Sequence, residues 1–153
     1  MDFITDFPET PRGYNTILTF VCRLSKMVIL APTTKNVTGE ESAKIYFDKV
    51  VERFGLSRVI VCDRDPRFTS AFSTSLHKLL GTALRPGTAY RPQRDGQTES
   101  MNKIVKTTLR SYVNFAQDNW DEMLSTVQFA INNHINLSTK KTPAEIVLGF
   151  RPL

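Results

Sequence analysis

Residues 57–63 read SRVIVCD, with positions 59–62 all apolar between Arg58 and Asp63. A short run of this kind is typical of a strand buried on both faces, so it asks for helices packed against a sheet. The preceding segment supplies one. Thr38 and Glu41 have the spacing of a capping box. Behind them Ala43, Tyr46, Phe47, Val50, Val51 and Phe54 repeat at helical spacing, and Gly55 is placed to end the helix.

The rest of the chain extends the pattern. Residues 2–5, 14–24 and 26–33 are rich in Val, Ile, Leu, Phe and Thr, and a Pro-Arg-Gly turn at 11–13 precedes the longer two. Short turns between them predict an antiparallel meander. Phe72, Leu76, Leu79 and Leu80 predict a second amphipathic helix, stopped at Gly81. Residues 82–86 are a candidate fifth strand, and a glycine-bearing loop is expected over 87–96. A helix over about 97–117 would bury Met101, Ile104, Val105, Leu109, Tyr112, Val113 and Ala116. Another starts near Asn119 and carries Trp120, Met123, Leu124, Val127, Ile131 and His134. The last opens at Thr142-Pro143, with Glu145 completing its cap and Gly149 closing it. This order of strands and helices gives an α/β fold, with helices packed on a central sheet.

A chain of 153 residues, 41% apolar and 23% charged, suits one domain with a single core. No apolar run approaches the roughly 18–20 residues of a membrane span, and a soluble intracellular chain is expected. Cys22 and Cys62 lie in strand-like apolar runs and read as buried, reduced thiols. With only His77 and His134 beside them, no zinc spacing is present. The net charge of +5 permits a polyanionic partner. Its distribution says more: Arg85, Arg91, Arg94, Lys103, Lys106 and Arg110 stand against only Asp95 and Glu99 in that stretch.

Three acids occupy awkward positions. Asp2 opens an apolar strand, Asp63 closes one, and Glu99 stands at the foot of a helix. Singly, each has an ordinary explanation: a frayed end, a loop residue, and a favourable charge at a helix N-terminus. Together, with 35 residues between Asp63 and Glu99, they resemble the Asp, Asp, Glu signature of the retroviral-type integrase catalytic core. The flanking words "MDFITDFP", "RLSKMVILAPTTK", "FGLSRVIVCDRDPRFTSAF", "LLGTALRPGTAYRPQRDGQTESMN" and "TPAEIVLGFRP" resemble, in order, core segments of integrases from gypsy-type LTR retrotransposons.

The resemblance implies an RNase H-like fold: a five-stranded mixed sheet flanked by helices, with the first and fourth strands side by side. It implies a polynucleotidyl transferase with endonuclease activity that trims the 3′ ends of element DNA and joins them to target DNA. Asp2, Asp63 and Glu99 would be both the catalytic residues and the metal ligands. Hard oxygen ligands select Mg²⁺ or Mn²⁺, and two such ions about 4 Å apart suit phosphodiester transfer. Asp63 would bridge them, with Asp2 and Glu99 holding one each. Lys103 and Lys106, four and seven residues after Glu99, resemble lysines that grip DNA phosphates. Asn102 would face the substrate, and Tyr90, Arg91, Gln93, Arg94 and Gln97 are further candidate DNA contacts. Arg64 and Arg67 either touch phosphate or offset Asp63 and Asp65.

The partners implied are double-stranded DNA and further copies of the chain, as a homodimer or higher oligomer, and the location implied is the nucleus. Residues 1–153 would be a single catalytic core, without the zinc-binding and C-terminal DNA-binding domains. Cys22, Arg91 and Arg94 stand where such integrases usually carry Asp, His and Thr, and Ser73 and His77 where aromatic residues are common. The triad is intact. A domesticated or decayed core that binds nucleic acid or a partner without catalysis is the alternative, and an RNase H-type nuclease is a third reading that the "DGQTE" and "TPAE" words disfavour.

Overall fold

A computed structural model describes residues 1–63, 65–68, 70–80, 89–92 and 96–152, with the backbone alone at 89–92. Contacts divide the chain into two compact units: residues 3–34 with 96–153, and residues 1–2 with 35–95.

The first unit is built on the meander. β1 (Asp2–Ile4), β2 (Thr16–Val21) and β3 (Val28–Thr33) form a sheet in that order. β2 and β3 are antiparallel, in register from Thr16↔Thr33 to Val21↔Val28. The link between them turns at Lys26, whose φ is 65°. It is closed by the Cys22 N–H to Met27 O and the Lys26 N–H to Cys22 O, both 2.9 Å. Cys22 therefore sits on a turn and is exposed, contrary to expectation, whereas Cys62 is buried. The apolar run that suggested burial for both ends at Val21 in one case and contains the cysteine in the other.

Against this sheet pack α4 (Gly96–Arg110) and α5 (Trp120–Asn132). Ile4, Ile17, Val28 and Leu30 meet Met101, Val105 and Leu109 of α4 and Trp120, Leu124, Val127 and Ile131 of α5 in one core. α5 also covers the free edge of β3. The Asn132 side-chain amide accepts the Val28 N–H at 2.8 Å and donates to the Val28 carbonyl at 2.7 Å. One turn earlier, Gln128 accepts the Leu30 N–H at 2.8 Å. Two amides spaced four apart thus satisfy an edge that would otherwise be open to pairing with another strand. Asn132→Ala leaves two buried backbone groups unpaired. It is expected to lower unfolding stability by about 1–3 kcal/mol, read as a lower urea midpoint at unchanged slope.

The helix expected over 97–117 stops at Arg110. Tyr, Val and Asn are weak helix formers, and Asn114 is better bonded outside a helix. Its N–H reaches Asn119 Oδ1 at 2.9 Å and its Nδ2 reaches Asp118 Oδ1 at 2.8 Å, while Gln117 takes φ 57°. Tyr112 and Ala116 are consequently exposed, and only Val113 of that trio packs on the core. Ile104 is 47% exposed because it lies off the stripe made by Met101, Val105 and Leu109. The chain finishes with α6 (Pro143–Leu148), where Thr142 Oγ1 accepts the Glu145 N–H at 3.0 Å and Gly149 ends the helix at φ 80°.

The second unit holds β4 (Val59–Cys62) and β5 (Ala89–Pro92), a parallel pair in register from Val59↔Ala89 to Cys62↔Pro92. β5 falls inside the loop expected over 87–96; the strand expected at 82–86 lies outside the described residues. A run of Ala-Tyr-Arg-Pro carries little strand propensity of its own, and pairing with β4 is what makes it a strand. Among the described residues the five strands are thus hydrogen-bonded as three and two. In β4, Val59 is 44% exposed while Ile60, Val61 and Cys62 are buried.

α1 (Gly39–Tyr46) begins with the expected capping box. It then passes through a π-helical turn, Phe47–Val51, into the single turn of α2 (Glu52–Phe54), which Gly55 ends at φ 78°. The Glu52 N–H bonds back five residues to the Phe47 carbonyl. The wider turn rotates later residues off the original stripe. Ala43 and Tyr46 are buried, but Phe47, Val50 and Val51 are only half-buried and Phe54 is exposed. α3 (Ser70–Leu79) packs on α1. A Cβ at Gly39 would lie 3.1 Å from the Phe72 nitrogen, so a larger residue would push the two segments apart by a few tenths of an ångström. Phe72 also meets the rings of Tyr46 and Phe68, each at 6.1 Å between centroids. Leu76 is buried beside it, and Leu79 is exposed. No helix among the described residues is long and apolar enough to cross a membrane.

Candidate active site

Two of the three acids belong to the unit that carries β4. The Met1 nitrogen donates to the Val61 carbonyl at 2.7 Å. That bond ties the residue before β1 to β4, although among the described residues β1 and β4 belong to separate sheets. Asp2 follows Met1 directly and is half-buried; Asp63 comes two residues after Val61 and is exposed at the carboxyl end of β4. Asp2 thus lies one residue after the donor of this bond and Asp63 two residues after its acceptor.

Asp63 is oriented by its own loop. Its Oδ1 accepts the Asp65 N–H at 3.2 Å, a local turn that suits aspartate at a strand end. The Asp65 carboxylate is in turn gripped by Arg67, through its backbone N–H at 2.9 Å and Nε at 2.8 Å. Arg67 also donates to the Lys35 carbonyl at 3.4 Å. Arg67 is thus committed to Asp65; Arg64 lies outside the described residues. The Arg67 hydrogen bond holds the Asp65 carboxyl below its ordinary value, against an opposing push from partial burial.

A carboxyl whose folded pKa is depressed adds stability that is complete above its unfolded pKa and lost as pH falls through the folded one. The stability gap between the wild type and Asp65→Asn should therefore be constant near neutral pH. It should shrink below about pH 4, where the carboxyl begins to protonate. Urea melts at pH 7, 5, 4 and 3 measure it.

The third acid lies in the other unit. Glu99 is exposed in the first turn of α4, where the helix dipole favours a carboxylate. Lys103, Lys106 and Arg110 follow at four, seven and eleven residues and are all exposed. Helical geometry sets the four on one stripe, about a third of a turn from the buried stripe of Thr98, Met101, Val105 and Leu109. One face of α4 fastens the helix to its core, and the adjoining face displays an acid and three cations. Asn102 is half-buried between them.

Gln97, two residues before Glu99, is engaged within its own unit. It accepts from Lys26 Nζ at 3.1 Å and donates to the Cys22 carbonyl at 3.4 Å. Lys26 Nζ is itself held by the Arg23 carbonyl at 2.7 Å. The β2–β3 turn therefore braces the start of the helix that bears Glu99, across a sequence separation that no local pattern displays. In that turn, partial burial pushes the Cys22 thiol up. Hydrogen bonds from Ser25 and Leu24 and the charge of Lys26 together outweigh it, and the thiol lies below its ordinary value.

Tyr90 and Arg91 lie on β5, where only the backbone is described; Gln93 and Arg94 lie outside the described residues. Trp120 is a core residue, 1% exposed. Sequence reading missed the buried Asp121 beside it, which accepts from Arg12 Nε at 2.6 Å and Thr10 Oγ1 at 3.4 Å. Among the described residues, no group of three His, Cys, Asp or Glu side chains is gathered to hold a metal.

No protein-family model matches the chain. It is 39% identical over 152 residues to the Transposon Tf2-3 polyprotein of Schizosaccharomyces pombe, covering 99% of this chain and 11% of the polyprotein. The chain thus spans about a ninth of the curated relatives it matches. It superposes on the HTLV-2 integrase catalytic core domain, solved in complex with magnesium in a trimeric form. The TM-score is 0.69 at 17% identity, covering 95% of this chain and 94% of that one. A simian T-cell lymphotropic virus intasome, in complex with the PP2A regulatory subunit B56 gamma, contains a chain that matches with a TM-score of 0.71 at 18% identity, over 94% of this chain and 52% of that one. The fold is that of a retroviral integrase catalytic core, and the chain is a homologue of one segment of a retrotransposon polyprotein.

Proposed function

We propose that the chain is the catalytic core of a gypsy-type retrotransposon integrase, a polynucleotidyl transferase that processes the 3′ ends of element DNA and joins them to target DNA. The observation that carries the reading is the exposed stripe of α4, in which Glu99 heads three cations on a helix fastened by its other face. Alignment along the whole chain with a transposon polyprotein supports it. So does the Met1–Val61 bond, which Asp2 follows by one residue and Asp63 by two.

In this reading Asp2, Asp63 and Glu99 form one site. The donor set is all carboxylate oxygen, without thiolate or imidazole, and so fits Mg²⁺ or Mn²⁺. Such ions, when bound, supply activation of the attacking oxygen and charge relief on the leaving one. The chain's own part is to orient the phosphodiester. The turn at Asp65 aims Asp63, the β2–β3 turn braces Glu99 through Gln97, and Lys103 and Lys106 offset phosphate charge along the DNA. Water, then the exposed 3′-hydroxyl, attacks phosphorus in line, and the displaced 3′-oxygen leaves with a proton. No covalent enzyme intermediate is needed. Double-stranded DNA is the substrate, further copies of the chain are the assembly partners, and the nucleus is the place of action.

Resolution of a branched DNA by the reverse of strand joining tests the proposal. The wild type with Mn²⁺ or Mg²⁺ should release the joined strand, and Glu99→Gln should not. Metal-dependent binding without resolution, with the fold intact, would move the assignment to a non-catalytic nucleic-acid-binding core.

A further inference from the structure

Lys26 stands where the backbone favours another residue. It ends the β2–β3 turn with a φ of 65°, in the left-handed region that glycine enters without steric cost and lysine rarely adopts. The turn does not depend on the lysine side chain for its closure, which is made by two backbone bonds, the Cys22 N–H to Met27 O and the Lys26 N–H to Cys22 O. Beyond a bond to the Arg23 carbonyl at 2.7 Å, the half-buried Lys26 side chain reaches out of the turn. Its Nζ donates to Gln97 Oε1 at 3.1 Å, a charge-assisted bond and so a strong one.

Gln97 is placed to pass this restraint on. At roughly 3.6 residues per turn it lies about half a turn of α4 from Glu99, behind the exposed face that carries Glu99, Lys103 and Lys106. Both ends of its amide are engaged there, the oxygen by Lys26 and the nitrogen by the Cys22 carbonyl at 3.4 Å. Sequence reading set Gln97 among the DNA contacts; its place on the rear of the helix gives it a different task. The start of a helix frays readily, because its first four N–H groups lack intrahelical partners, and Glu99 lies in that first turn.

We infer that Lys26 is a positioning residue for Glu99: its ammonium, acting through Gln97, holds the first turn of α4 from behind and so sets the carboxylate for a cation. The strained backbone at Lys26 is the cost of placing an ammonium at that point of the turn. The inference rests on the metal-dependent site proposed above and adds the residue that preorganises one of its ligands.

Lys26→Gly separates positioning from stability. Glycine suits the turn, so the urea midpoint should stay close to the wild-type value. In the metal-free protein, hydrogen exchange at the Ser100 and Met101 amides should quicken several-fold, with exchange elsewhere unchanged. Resolution of branched DNA should need about tenfold more Mn²⁺ for its half-maximal rate, the low end of what a residue supporting a metal ligand contributes. Gln97→Leu should reproduce both changes, and the double variant should add nothing to them. Wild-type exchange and Mn²⁺ dependence in Lys26→Gly overturn the inference and leave the integrase reading standing. So do effects of the two single variants that add in the double one. A lowered urea midpoint with exchange quickened throughout the chain, in both single variants, also overturns it, since the role is then structural. A wild type that resolves no branched DNA at any Mn²⁺ concentration removes the integrase reading and this inference with it.

Discussion

Asp63→Asn is expected to lower metal-dependent resolution of branched DNA by more than about a hundredfold, the most that a supporting partner of a metal ligand typically costs, while leaving the fold in place. The side chain is exposed at the end of β4 and is absent from the core, so its charge can be removed without a cavity. Asparagine keeps an oxygen that can still accept the Asp65 N–H now held at 3.2 Å. The local turn should therefore survive, and the loss should report on the missing negative charge. Circular dichroism and the urea midpoint should match the wild type while turnover collapses. Retained activity in this variant would remove Asp63 from the chemistry.

Trp120→Ala should have the opposite signature, a large loss of stability. Trp120 is 1% exposed, in the middle of the core that joins the three-stranded sheet to α4 and α5. Truncation removes the Phe7 ring contact at 4.9 Å and the hydrogen bond to Pro8 at 2.8 Å. Large-to-small changes of this kind cost about 3–5 kcal/mol. The segment after β1 should loosen with it, because its anchors at α5 are Trp120 and the neighbouring Asp121, which holds Arg12 and Thr10. Denaturation followed by circular dichroism measures the loss, and a change below about 1 kcal/mol would contradict this packing role.

Features specified by neighbouring residues were legible in the sequence. The Thr38–Glu41 capping box, the Thr142-Pro143 start and Gly149 stop of α6, and the β2–β3 hairpin all depend on residues within a few positions of one another. The buried stripe of α4 and the acid-and-cation stripe beside it were also readable, since both follow from helical spacing alone.

Features decided by distant partners were not. β5 owes its strand to β4 rather than to its own residues. The π-helical turn at Phe47–Val51 shifts a stripe that looked continuous. The early end of α4 is decided by amide side chains at Asn114 and Asn119, whose alternative bonds no periodicity reveals. Exposure of Cys22 follows from where the hairpin turns, one residue past the last strand position. At the site, the order of the acids was plain, but the clasp of Arg67 on Asp65 and the brace from Lys26 to Gln97 became visible only in three dimensions.

The claim on which the account depends is that Asp2, Asp63 and Glu99 serve one metal site. Titration of the chain with Mn²⁺, followed by electron paramagnetic resonance, tests it directly. The account predicts saturable binding that is weakened by Asp2→Asn, Asp63→Asn and Glu99→Gln alike, with each double variant little worse than the stronger single one. Binding unchanged by Glu99→Gln, or losses that simply add, would contradict it.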